Sequence, residues 1–246
     1  MNRNIWTIIK RELSAYFTSP VAYVIIVIFL VLSGAFTFWV SRWLEARQAN
    51  LGAFFMWHPW LYLFLVPAVG MRLWSEERRL GTLELLMTLP VTPWQAIIGK
   101  FLASWAVLGI ALGLTFPMVI TVNHLGDPDN GVIFGSYCGS FLMAGAYLAI
   151  SCLTSAMTRN QVISFILSVV ACLLLVLAGW PMVTDVLRSV SWLPGWSIDF
   201  AVASSIMYHF EDIQRGVIDF RNLFYFLSLI TFSLFATGVT LRSLRA

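Results

Sequence analysis

Charge is what this sequence has least of: only 11% of its 246 residues are Asp, Glu, Lys or Arg, against 59% hydrophobic, and the mean hydropathy is +0.83. A water-soluble domain is roughly a quarter charged and somewhat under half apolar. An ordinary soluble fold is thereby excluded, and the apolar excess must face something other than water. Fifteen Lys and Arg against twelve Asp and Glu leave a formal charge of +3, with no basic run long enough for a nucleic-acid stripe, so no nucleic acid is expected as a partner. Cysteine is scarce as well: Cys138, Cys152 and Cys172 are odd in number and lie in apolar runs, which argues against a disulfide framework and for small buried hydrophobes.

Signatures of catalysis are missing too. His58, His124 and His209 fall in separate segments with no H-E-x-x-H pair, so no metal site is expected and each histidine reads as an interfacial polar tip. Gly135-Ser136-Tyr137-Cys138-Gly139 sets its serine one position too early for a nucleophile elbow. Gly99-Lys100 is preceded by Trp94 where a phosphate loop needs glycine, and followed by Phe101 where it needs Ser or Thr. Any use of ATP therefore belongs to another polypeptide, and no cofactor is expected on this chain.

What the sequence does have is long runs free of Asp, Glu, Lys and Arg. There are six: Val21 to Val40, Leu51 to Met71, Phe101 to Asn123, Val132 to Thr158, Asn160 to Thr184 and Asn222 to Leu241. Each can cross about 30 Å of hydrocarbon as a helix, the form that satisfies its backbone there. The expected fold class is an all-α membrane protein, one six-helix domain over residues 1–246. Ser33-Gly34-Ala35 could imitate a signal-peptide cleavage site, but the apolar run continues through Phe36, Phe38 and Trp39 and reads as an uncleaved span. With no ionisable group at depth, an ion-driven transporter is disfavoured, because such groups persist in spans for function.

Ten Lys and Arg fall in the segments on one side of these spans and five on the other, while the acids divide four to eight the opposite way. The positive-inside bias then puts both termini in the cytoplasm. Tryptophans including Trp39, Trp43, Trp57, Trp60, Trp74, Trp94 and Trp180 lie near expected interfaces, where indole is comfortable. Pro59, Pro67 and Pro117 can kink their spans, and the small residues of the fourth (Gly139, Ala144, Gly145, Ala146, Ala149) suit close helix packing.

Three pieces lie outside the spans. Residues 2–18 put Ile5, Trp6, Ile9, Leu13, Tyr16 and Phe17 on one helical face, with Ile8 off the pattern, which suits a helix lying flat at the cytoplasmic interface before Pro20 turns into the first span. In residues 75–90, Leu80, Leu83, Leu86 and Met87 form an apolar face while Glu76, Glu77, Arg79 and Glu84 keep the remainder charged. A short amphipathic helix of this kind can enter a partner's groove, its charges fixing register. Between Asp185 and Arg221, Pro194-Gly195 makes a break, and Phe200 to His209 is apolar but too short to span, so it reads as one shallow re-entrant or interfacial helix.

The run Glu76-Glu77-Arg78-Arg79-Leu80-Gly81-Thr82-Leu83-Glu84-Leu85-Leu86-Met87-Thr88-Leu89-Pro90, then Thr92-Pro93 and Gly99-Lys100, resembles the coupling segment of type-two ABC exporter permeases. Lys10-Arg11-Glu12-Leu13 with Tyr16-Phe17-Thr18-Ser19-Pro20 is similar to their amphipathic N-terminal elbow helix, and Phe210 to Asp219 looks like the stretch before the last span in the gliding-motility (GldF-like) branch. The likeness covers essentially the whole chain. It implies a permease subunit in a bacterial inner membrane, paired with a second permease (a copy or a relative) and a cytoplasmic ABC ATPase dimer that holds the ATP and Mg. It also implies a cytoplasmic coupling helix, with Glu76, Glu77, Arg78, Gly81, Thr82, Leu83, Glu84 and Pro90 as coupling contacts, Gly81 bending the segment, and a lipidic or amphipathic cargo. The rival expectation is a noncatalytic membrane anchor or assembly factor that docks a cytoplasmic partner without moving cargo.

Overall fold

The computed structural model describes residues 2–46, 48–82, 92–189, 194–216 and 219–243, and the regular structure among them is helical. Helix α1 (Asn2–Thr18) ends at Ser19, whose hydroxyl accepts from the Val21 amide at 3.4 Å. Helix α2 (Pro20–Ala35) starts there with proline in its first turn, where the missing N–H would have no partner anyway, and runs on through a π-turn at Phe36–Val40. The chain then forms α3 (Gly52–Phe55), α4 (His58–Gly70) and α5 (Arg72–Leu80), nearly continuous. Next come α6 (Pro93–Gly113), opened by a reciprocal Thr92 and Gln95 capping box, α7 (Pro117–Leu125) and the long α8 (Asn130–Met157). The remainder is α9 (Gln161–Leu177), α10 (Pro181–Ser189), α11 (Gly195–Ala203), α12 (Ile206–Gln214) and α13 (Phe220–Ser243).

By length and composition the described residues hold five membrane-crossing stretches, Pro20–Val40, Gly52–Leu80, Pro93–Leu125, Asn130–Met157 and Phe220–Ser243. A sixth exists if α9 and α10, bent by 74°, count as one broken span. The chain is thus an all-α multi-span protein. Its hub is α8, 78% buried over its most apolar window against 28–33% for the first, third and last stretches, whose outer faces suit lipid. Close approach to α8 is possible because Ala144, Ala146, Ala149 and Ala156 are small, and its buried serines need no outside water: Ser151 donates to the Tyr147 carbonyl at 2.8 Å.

The boundaries depart from the runs read in sequence at three places. The third span begins at Pro93 rather than 101, taking Lys100 inside the helix, and it is interrupted between Gly113 and Pro117, where the proline cannot donate to the preceding turn. The fifth ends at Leu177 rather than 184, since Gly179 lies against Ser205 with no room for a side chain and Pro181 starts a new helix. In place of one external helix over Phe200 to His209 there are two, α11 and α12, broken at Ser204 and Ser205, where Ser205 caps Tyr208 at 3.5 Å.

Candidate functional site

Helices α1 and α5 and the first turns of α6 meet at one end of the bundle, beside the last turn of α8. Helix α5 follows α4 after the single residue Met71, which offers no side-chain cap. The cap comes from another helix: the Ser155 hydroxyl accepts from the Trp74 and Ser75 amides, both at 3.0 Å, and donates to the Met71 carbonyl at 2.9 Å. One hydrogen and two lone pairs are all used. The Trp74 indole, fully buried, donates to the Cys152 thiol at 3.1 Å. At the far end of α5, Arg78 donates to the Ala156 carbonyl at 2.6 Å, filling one of the acceptors left open at the α8 C-terminus.

Between these elements sits Lys100, its side chain only 6% exposed. Its Nζ is 2.8 Å from Glu77 of α5, 3.5 Å from Glu12 of α1, and 5.5 Å from the centre of the Trp74 ring. A buried ammonium is tolerable only where carboxylates and hydrogen bonds replace its water. The sharing of one cation between α1 and α5 therefore fixes both against α6. Helix α1 is further seated by Ile8, which fills the space over Gly99 so closely that a Cβ there would come within 2.7 Å of it. Tyr16 shares a 2.9 Å hydrogen bond with Ser104. Burial raises the Tyr16 phenol to about 12, the Ser104 bond opposing and the Glu12 charge adding to the shift.

The sequence-derived residues fall into four groups. Glu12, Tyr16, Glu76, Glu77 and Arg78 come together in this joint, with Arg72 bridging to Glu76 at 3.3 Å and Arg11 to Glu12 at 2.8 Å. Others are placed outward: Lys10 lies over the exposed Trp6 ring at 5.6 Å, and Arg79, Leu80 and Thr82 are exposed. Gly81 caps α5 with φ at 70°, a left-handed conformation that favours glycine, and Pro20 opens α2. Leu83, Glu84, Leu86, Met87 and Pro90 lie outside the described residues.

Several side chains contradict the sequence reading. Ile8 is turned inward and Trp6, 58% exposed, outward, because Gly99 opens a slot for a branched aliphatic chain and none for indole. Cys138 is exposed, whereas Cys152 and Cys172 are buried. His58 and His209 are not interfacial tips but core residues. His58 Nδ1 is 2.8 Å from the Ser140 hydroxyl, which also meets the Tyr62 hydroxyl at 2.8 Å, and its ring is walled by Phe29, Phe54 and Phe55. His209 Nε2 faces the Ala203 carbonyl at 3.0 Å and must donate to it, while Nδ1 lies 2.7 Å from Asn222 Oδ1. That contact ties α11, α12 and α13 together.

Lys100 and Ser155 were not foreseen as site residues. Lys100 did carry a signal: it is flanked at helical spacing by Ala96, Ile97, Ala103 and Ser104, all buried, an apolar setting that a lone lysine occupies only when paired. Ser155 carried none, since one serine among the small residues of a span is indistinguishable from packing.

Bilayer-length helices gathered on a central one, with a charged joint at one end, define a multi-pass membrane protein. Its family is shown directly: the model of the ABC-2 family transporter proteins matches residues 6–239, and the chain belongs to that family. It is accordingly a permease component of an ABC transporter, a membrane transport subunit of the kind that works with ATPase subunits. No individual curated protein matches it.

Proposed function

We propose that this chain is half of the translocation pathway of an exporter in a bacterial inner membrane, pairs with a second permease, identical or related, and is driven by a cytoplasmic ABC ATPase dimer docked on residues 75–90. The termini and the α1–α5–α6 joint are then cytoplasmic, in keeping with the basic bias of those segments. ATP and Mg are held by the ATPase, since this chain's only lysine after glycine, Lys100, is committed to Glu77 and Glu12. The observation that carries the proposal is the buried Lys100 joint. An ATPase biases two membrane conformations only by binding one better than the other, and the shift must pass through a packed contact. Helix α5, stapled to α8 through Ser155 and Arg78 and to α1 and α6 through Lys100, supplies it.

The test is ATP turnover by the assembled transporter. Glu84→Lys and Leu83→Asp should each abolish substrate-stimulated hydrolysis while membrane insertion persists. Unchanged turnover in both variants overturns the docking assignment. Failure of any ATPase chain to copurify favours the noncatalytic anchor instead.

A further inference from the structure

A cleft of about 280 Å³ opens between the end of α1, the start of α2 and the outer side of α5. Its walls mix charge of both signs with short apolar surface: Glu76, Glu77 and Arg72 on one side, Ser19 and Val21 on the other, Lys100 at its base. Counting Glu12, three carboxylates line it against two cations, and Arg11, 2.8 Å from Glu12, brings the group to neutrality. Two groups in it have bonding capacity to spare. Glu76, its side chain 32% exposed, meets Arg72 through Oε2 alone, which leaves its Oε1 without a partner. A carboxylate oxygen in that state can accept from a further donor. Arg72 reaches Glu76 through Nε alone, which leaves the two terminal nitrogens of its guanidinium for an anion.

A second observation says where such a ligand comes from. The cleft lies at the Ser19–Pro20 corner, where α1 hands over to the membrane-crossing α2, and so at headgroup depth. From Val21, which lines the cleft, the residues at helical spacing down the same face of α2 are Val24, Ile28 and Val31, exposed by 52%, 39% and 61%. This apolar track begins at the mouth of a zwitterionic site.

We propose that the cleft formed by Arg72, Glu76, Glu77, Ser19 and Val21 binds the headgroup of an aminophospholipid, its primary ammonium on the Glu76 carboxylate, its phosphodiester on Arg72, and an acyl chain along Val24, Ile28 and Val31. A primary ammonium carries three donors where a quaternary one carries none, so the site distinguishes phosphatidylethanolamine from phosphatidylcholine. Phosphatidylglycerol has no ammonium for the Glu76 carboxylate to hold. The proposal does not depend on the ATPase or on the cargo.

Native mass spectrometry of the full chain released from nanodiscs containing equal amounts of the three lipids, with matched acyl chains, is the test. Phosphatidylethanolamine should be retained over each of the others by about tenfold, the factor one charge-assisted hydrogen bond supplies, and Glu76→Gln should reduce that preference. Equal retention of all three by the unaltered protein, a preference for phosphatidylglycerol, or an undiminished preference in Glu76→Gln overturns the proposal. Soluble glycerophosphoethanolamine is the competing source of the same chemistry. It should displace the lipid only at large excess, and displacement at equal concentration would show that the acyl track contributes nothing and the lipid assignment fails.

Discussion

Lys100 carries a full charge in a setting where only partners make it stable, and that makes it the residue whose loss should be felt most. Lys100→Met leaves Glu77 and Glu12 facing each other with no cation between them, and removing one partner of a buried pair costs about 3–5 kcal/mol. The double variant Lys100→Met with Glu77→Gln should be less destabilised than Lys100→Met alone, because the stranded charge goes too; thermal unfolding of the purified chain measures both. Tyr16 gives a pH signature. Its phenol is raised from 10.0 to about 12 mainly by burial, so the folded state holds the proton more tightly than the unfolded chain. Stability from this group is fully present below pH 10 and falls as the pH rises through about 12. Tyr16→Phe should remove that alkaline loss, read as the difference between two stability-against-pH curves. Lys100 could have been noticed in sequence for its apolar neighbours, but its partners could not, since Glu12 and Glu77 are brought to it only by the packing of α1 and α5.

Among the elements, the start of α2 was readable in the sequence, while the start of α6 at Pro93 was not, because the charge of Lys100 hid the helical turns before it. Pro20 marks the start of α2 because proline acts locally on the backbone, whatever packs against it. The break between α9 and α10 was not readable: it depends on Gly179 meeting Ser205, a contact between distant parts of the chain. The seat of α1 rests on a similar close approach. Gly99→Ala should loosen α1 from α6, since the new Cβ would fall 2.7 Å from Ile8, and Ile8→Ala should restore the fit. Limited proteolysis near Pro20 would report the first change and its reversal. For α5, Ser155→Ala removes the hydroxyl to which two buried amides donate, and amide hydrogen exchange at Trp74 and Ser75 should quicken while that of α9 stays as it was.

For the whole molecule, the kind of element followed from composition: a chain this apolar has to cross a bilayer, and helices are the open way to do so. Which helix stands at the centre did not follow, because α8 differs from the other spans in small size rather than in hydropathy, and its partners declare themselves only in three dimensions. Orientation is testable on the intact chain. In a Cys138→Ser background, Arg215→Cys should react with a membrane-impermeant maleimide added outside cells, and Arg79→Cys only after permeabilisation; the reverse pattern would invert the topology. Ser155 bears on how such a molecule moves. With its hydroxyl fully engaged by the backbone of residues 71–75, α5 is not simply hung from α4 but keyed to α8, like a crank fixed on its axle. A tilt given to the crank turns the most enclosed helix at the same moment, and the outer helices follow second-hand, each through its own bearing on that axle.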